Sequence, residues 1–352
     1  MLSTPDVRTL GVLGAVLISA VIAVFGLVRW SGREQVSGTD PVWRELTRSW
    51  IALVALTWVL LVFGASVRVN AAGLACPDWP LCFGRLVPEH DWKVFLEFWH
   101  RLYAGGVSLI FLFLSARMLR NPEQRKMFGP HLLLAALALA AQIVLGGLTV
   151  LHLLAEWTVT SHLLGGNTFC LMLALVALRV ADKAAPVARD GIPSWHRIFS
   201  VILGVAVVAQ VALGGLVSSS HAGLACGTWP TCDGYSWFPT WAGLVGLQLT
   251  HRCAAYLLLL LTFVGAFVFR GRAAVAARTL LGVVIVQATI GVANVLLYLP
   301  VEVTLLHTAG AALAFLSMGW LNFETWSAPL VARQRAASPE SNTVGNLRAE
   351  GL

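Results

Sequence analysis

The feature that most restricts this chain is a succession of apolar stretches, each long enough to cross about 30 Å of hydrocarbon, for which roughly 20 helical residues suffice. They lie near 9 to 29, 49 to 67, 97 to 118, 131 to 151, 158 to 180, 197 to 217, 243 to 269, 275 to 298 and 301 to 322. Backbone in lipid must satisfy its own hydrogen bonds, so these nine runs predict nine transmembrane helices and an all-α polytopic membrane protein. With 58% hydrophobic and 12% charged residues, the composition excludes a soluble domain. The first run reads as a retained helix, because the leader Met1 to Leu10 carries only Arg8 against Asp6 and Arg29 and Arg33 follow it.

The formal charge of +7 is dispersed between the apolar runs and forms no single basic patch, which excludes nucleic acid as a partner. Lys and Arg gather on the cytoplasmic side of a membrane. Arg29, Arg33, Arg44 and Arg48 fall in one loop, Arg117, Arg120, Arg125 and Lys126 two loops on, and Arg179, Lys183, Arg189 and Arg197 two beyond that. Arg270, Arg272 and Arg278 follow, then Arg333, Arg335 and Arg348 in the tail, whereas the alternate loops hold only Arg68, Arg85 and Lys93. The expected location is the cell membrane, with the N-terminus outside and the C-terminus cytoplasmic. Abundant Trp, 14 residues against four Tyr, suits interfacial indoles in a lipid bilayer.

An internal repeat organises the chain. Gly73-Leu-Ala-Cys76-Pro-Asp-Trp79-Pro80-Leu-Cys82-Phe-Gly84 recurs 150 residues later as Gly223-Leu-Ala-Cys226-Gly-Thr-Trp229-Pro230-Thr-Cys232-Asp-Gly234. Glu97-Phe-Trp-His100-Arg101 aligns with Gln248-Leu-Thr-His251-Arg252, Gln142 to Gly146 with Gln287 to Gly291, and His162 with His307. The expected division is residues 1–48 as an extra N-terminal transmembrane helix and linker, 49–185 and 186–325 as two tandem four-helix units, and 326–352 as a disordered cytoplasmic tail. An even number of spans per unit makes this a parallel repeat about an axis along the membrane normal.

Four histidines at repeat-related places lie within spans, where ionisable groups are costly and signal function. Two imidazoles from facing helices of a bundle suit bis-His haem ligation, and Gly105, Gly106, Gly165, Gly166 and Gly310 are expected to leave room for the macrocycle. Interhelical hydrogen bonding and another metal are the alternatives, the latter short of ligands. Glu97 shares a helix face with His100, and its counterpart Gln248 lacks the charge. The carboxylate reads as a general acid or base kept in one half only, or else as an ion-pair partner of Arg101. Arg101 and Arg252 are candidate haem-propionate anchors. Cys76 with Cys82 and Cys226 with Cys232 sit in loops assigned to the oxidising outer side, which favours a disulfide in each over zinc thiolates. Cys170 and Cys253 read as apolar fillers.

Taken together, the Cys76 to Cys82 loop, the Glu97-x-x-His100-Arg101 helix and the paired histidines resemble the haem A synthase family of the cysteine-containing bacterial type, over about residues 49 to 322. The resemblance implies an oxidoreductase that converts the C8 methyl group of haem O to the formyl group of haem A for terminal oxidases. It implies His100 and His162 as substrate haem ligands, Glu97 as the catalytic acid or base, and His251 and His307 as iron ligands of a haem B cofactor. It implies an electron-transfer or structural part for the Cys76–Cys82 disulfide. Haem O synthase, the farnesyltransferase, and cytochrome oxidase assembly factors are the implied partners, and homo-oligomerisation is left open. The residues alone leave open a di-haem, quinol-linked electron carrier and a non-catalytic haem chaperone.

Overall fold

The computed structural model describes residues 41–87, 91–186 and 192–327. These form eight long helices: α1 (Pro41–Val69), α2 (Trp92–Arg120), α3 (Pro122–Leu151), α4 (Glu156–Ala184), α5 (Ser194–Ser219), α6 (Gly243–Val268), α7 (Gly271–Leu296) and α8 (Val301–Trp326). All eight are long and apolar enough to span a bilayer, and the chain is a multi-pass membrane protein. The expected first span at 9 to 29 and all but the start of the expected tail lie outside the described residues.

Several helices overrun the apolar runs that announce them, because their ends are set by caps and not by hydropathy. Asp91 caps α2 by accepting from the Lys93 and Val94 N–H groups. Asn121 does the same for α3 through Glu123 and Gln124, and Pro122 occupies the first turn, where its missing N–H costs nothing. α3 therefore starts nine residues before the run at 131 and continues through Pro130. Arg68, counted above with an outer loop, lies in the last turn of α1.

Neighbours in sequence pack side by side, and α1 also packs on α4 as α5 packs on α8. Each set of four thus closes on itself, and the two sets meet through α4 against α5, α1 against α8 and α4 against α8. In lipid such interfaces rest on close packing and small residues. Gly215 of α5 receives Leu163 and Thr160 of α4, a Cβ there standing 3.1 Å from both side chains. Trp58 of α1 donates its indole N–H to the Ala309 carbonyl of α8 at 3.2 Å.

Two apolar cores lie away from the Cys-bearing ends of the helices. One joins Trp50, Phe111, Phe128, Phe169 and Leu173 of α1 to α4, and the other Leu203, Leu258, Leu280 and Phe315 of α5 to α8. Nearer the Cys loops the apolar packing breaks into smaller clusters, such as Val67, Ala72 and Leu96, among which the buried polar residues lie.

Candidate haem-binding site

The four histidines fall at matched depths. His100 and His251 are the eighth residue past the first of α2 and α6, and His162 and His307 the sixth past the first of α4 and α8. At about 1.5 Å per residue they stand about 9 to 12 Å from the Cys-loop ends of their helices. His100 lies within electrostatic reach of His162, and His251 of His307, so the pairs expected from the repeat are brought together.

Each ring rests on a glycine of the preceding helix. A Cβ added at Gly64 of α1 would stand 3.0 Å from His100 Cε1, and at Gly146 of α3 3.2 Å from His162 Cε1. The same holds for Gly214 of α5 on His251, at 3.2 Å, and Gly291 of α7 on His307, at 3.0 Å. Any side chain at these four places would press on an imidazole. The Nδ1 atoms of His100, His162 and His307 are buried without a hydrogen bond of ordinary geometry, the main chains of Gln142 and Gln287 lying near the latter two.

The glycines expected to make room for a macrocycle divide into two groups. Around Gly105 and Gly106 nothing lies within 4 Å of a Cβ position, which leaves that face of α2 unobstructed. Gly165 and Gly310 instead accommodate the side chains of Gln142 and Gln287, and Gly166 that of Leu61, so these three serve helix packing. Imidazoles paired across each bundle, each seated on a glycine of the preceding helix, fit a bis-His haem. Among the described residues no cluster of three or more His, Cys, Asp or Glu side chains is disposed around a common metal position.

Glu97 is buried, 4% exposed, and accepts the Cys76 N–H at 2.8 Å on Oε2, while Oε1 pairs with Arg101. The ion pair weighed from the i, i+4 spacing is therefore present, and the carboxylate is also tied to the Cys loop. Arg101 Nη1 donates to the Asp78 and Leu81 carbonyls at 2.9 and 2.8 Å. Gln248, equally buried, instead donates to the Gly223 carbonyl at 3.0 Å, and its Oε1 has no partner. Arg252 grips its own loop through Thr231 O at 3.2 Å and Cys226 O at 2.8 Å. Both arginines thus spend donors on holding the loops that overlie the histidines.

Those loops are closed by Cys76–Cys82 and Cys226–Cys232 disulfides, so the cysteines are not zinc thiolates. Cys170 and Cys253 are free. The Asp78 carboxylate accepts from Gly84 and Phe83 N–H groups at 2.7 Å each, and these donors, with Arg101 nearby, hold it below the usual carboxylate range. Asp233 is held low in the same way by Ser236 and Tyr235 N–H groups. Beneath each loop the turns α3–α4 and α7–α8 place Leu154 and Leu299 at φ 61° and 58°, unusual for a branched side chain. Each is fixed by packing against the first glycine of a Cys loop, Leu154 on Gly73 and Leu299 on Gly223.

Residues missed in the sequence are Gly64, Gly214 and Gln210, and Gly146 and Gly291 were matched by the repeat without a role; Gln210 Nε2 lies 3.2 Å from His251 Nδ1 and 3.2 Å from its main-chain oxygen. The available signal was Gln210-Val-Ala-Leu-Gly214, the same Gln-x-x-x-Gly spacing as at Gln142 and Gln287. Arg68, read from the sequence only as an outer-loop cation, pairs with Ser218, its own repeat equivalent, at 2.8 Å through Nε, and so ties α1 to α5.

Residues 47–318 match the family described as cytochrome oxidase assembly protein, COX15-CtaA. The chain is similar to the haem A synthase of Shewanella oneidensis, 31% identical over 79% of this chain and 96% of that protein. It is also similar to the haem A synthases of Bradyrhizobium sp., 30% identical over 81% and 92%, and Azorhizobium caulinodans, 26% identical over 76% and 90%.

Proposed function

The chain belongs to the COX15-CtaA family of cytochrome oxidase assembly proteins, and from that membership and the geometry above we propose that it is a haem A synthase whose two halves divide the work. In this reading residues 49–185 and 186–325 are two parallel copies of one bundle, with the Cys loops on the outer face and the C-terminus in the cytoplasm. The first is the reactor, and the second holds a permanent haem B. The observation that carries the reading is the exchange of a buried charged group for a neutral one between repeat-related sites: Glu97 beside His100, Gln248 beside His251. An electron carrier has no need of a carboxylate in one half alone.

His100 and His162 would hold haem O as ligands of its iron. The C8 methyl is hydroxylated twice and the geminal diol loses water to leave the aldehyde of haem A, a four-electron, four-proton oxidation whose electrons must leave to an external oxidant. Glu97 handles protons near that carbon. The Cys76 N–H and Arg101 each donate to one of its oxygens, so the carboxylate is held in a fixed orientation while it accepts or returns a proton. His251 and His307 would hold haem B, which would supply one-electron transfer there. Gln248 keeps the shape of Glu97 at that site without offering a base. Where Arg101 and Arg252 also meet haem propionates, the same guanidinium would join the loop carbonyls to the substrate edge. Haem O synthase upstream and oxidase assembly factors downstream are the partners this chemistry requires.

The test is mass analysis of haems extracted after expression beside a haem O synthase, for the wild type and Glu97→Gln. Haem A and its alcohol precursor from the wild type, absent from the variant while haem B remains, is the expected result. Haem B alone from the wild type would make the chain a carrier, and normal haem A from the variant would remove Glu97 from the chemistry.

A further inference from the structure

Four times a helix delivers a glycine to a histidine ring of the next helix, and in three of them a glutamine stands one turn earlier on the same face. The pairs are Gln142 and Gly146, Gln210 and Gly214, and Gln287 and Gly291. The glutamines brace the turn that carries the imidazole. Gln287 Nε2 donates to the His307 carbonyl at 2.7 Å, Gln210 Nε2 to the His251 carbonyl at 3.2 Å, and Gln142 lies against Gly165, three residues past His162. Gln210 additionally touches the ring of His251 at Nδ1, and its buried Oε1 has no partner. The exception is α1, where Leu60 stands one turn before Gly64. His251 is the one ring of the four whose Nδ1 has a side-chain partner; the Nδ1 atoms of His100, His162 and His307 are buried without one, and His100 alone also lacks the glutamine.

We propose that Gln210 is a positioning residue that locks His251 as an iron ligand, and that Leu60 in its place leaves His100 the weakly held ligand through which haem O enters and haem A leaves. This rests on the division of labour proposed above. A ring that binds iron through Nε2 carries its proton on Nδ1, and a side-chain acceptor there fixes the tautomer and raises the basicity of the ligand. Rotation of the Gln210 amide about its last bond offers Oε1 for that role, in exchange for the Nε2 donation to the His251 carbonyl. The second bundle thus has a glutamine beside each of its two histidines, and the first beside only one. A cofactor must stay and a substrate must go, and the one leucine among three glutamines separates the two at the residue next to Glu97.

The experiment is transfer of haem from the full-length, detergent-purified protein to excess apomyoglobin, followed by mass-resolved haem analysis and by the low-spin electron paramagnetic resonance signal of the retained haem. Loss of an outer-shell partner typically costs 10- to 100-fold in metal affinity. Gln210→Leu is expected to speed haem B loss by about tenfold or more and to shift its low-spin signal. Leu60→Gln is expected to slow release of haem O and haem A without altering haem B. Transfer and spectra equal to the wild type in either variant overturn the inference. His251→Ala serves as the reference: if it keeps haem B unchanged, the assignment of the second bundle fails, and if it loses haem B while Gln210→Leu does not, only the present inference fails.

Discussion

The two halves of the molecule are close to a controlled experiment in one chain. α1 to α4 and α5 to α8 share glycine-seated histidines at the same depths, a disulfide-closed loop, an arginine holding that loop and a leucine plug beneath it. They differ in a few groups around the first histidine of each pair: Glu97 against Gln248, Leu60 against Gln210, and Arg68 against Ser218. In the function proposed above, what is common would build a haem site, and these three differences are the ones that would turn one such site into a reactor. The asymmetry also reaches the loop. Glu97 accepts a main-chain N–H from Cys76, whereas Gln248 donates its side-chain Nε2–H to the Gly223 carbonyl, so only in the first half does the loop hold a carboxylate in place.

Exchanging the differing groups should break the contrast. Glu97→Gln, which makes the first half resemble the second, is expected to lower haem A formation by about 10²-fold or more, the typical contribution of a positioned acid or base, with haem B content unchanged. Product analysis alongside haem quantification reads both.

Glycine seats come next. Gly214→Ala is expected to push the His251 ring and reduce bound haem B, seen as loss of its absorbance in purified protein, whereas Gly64→Ala should spare haem B and lower haem A production. Both follow from Cβ positions 3.2 and 3.0 Å from the imidazoles. Loss of haem B from the Gly64 variant would mean that the sites are not independent.

Removing a disulfide should cost the two loops alike and the activity unequally. A loop of this size loses about 2 kcal/mol of chain-entropy stabilisation when opened, measurable as faster hydrogen exchange in either loop. Cys76→Ser with Cys82→Ser is expected to lower activity further than Cys226→Ser with Cys232→Ser, because only the Cys76 N–H holds Glu97. Equal activity losses would separate Glu97 from its loop.

The smallest effect is on pH. Asp78 and Asp233 are held low by main-chain donors in the folded loops. Their stabilisation is therefore complete above the unfolded pKa of about 3.9 and is lost as pH falls through the lower folded value. Hydrogen exchange in both loops should be insensitive to these groups near neutrality and rise together below about pH 4. A rise in one loop alone would show that they differ in more than the groups named here.

Eight of the membrane helices were legible as apolar runs, because burial in lipid demands roughly 20 such residues and little else. Helix ends were not, since Asp91 and Asn121 set them from outside the runs. The histidines, Glu97 and the cysteines were visible because a repeated polar residue in apolar surroundings stands out. Their supports were not: a glycine in a membrane helix has many uses, and only the packing of α1 on α2, α3 on α4, α5 on α6 and α7 on α8 shows that Gly64, Gly146, Gly214 and Gly291 each face an imidazole. Gln210 was hidden for a different reason. Its pattern matches those of α3 and α7, while its own repeat partner, Leu60, breaks it. The glycines judged to flank a macrocycle were misread at Gly165, Gly166 and Gly310, where small size serves neighbouring side chains instead.

The division of labour is tested most directly by counting each haem per protein molecule, by mass analysis of extracts, in two double variants expressed beside a haem O synthase. His100→Ala with His162→Ala should retain haem B and make no haem A, and His251→Ala with His307→Ala should lose haem B. Haem B missing from the first variant, or kept undiminished in the second, would contradict the account.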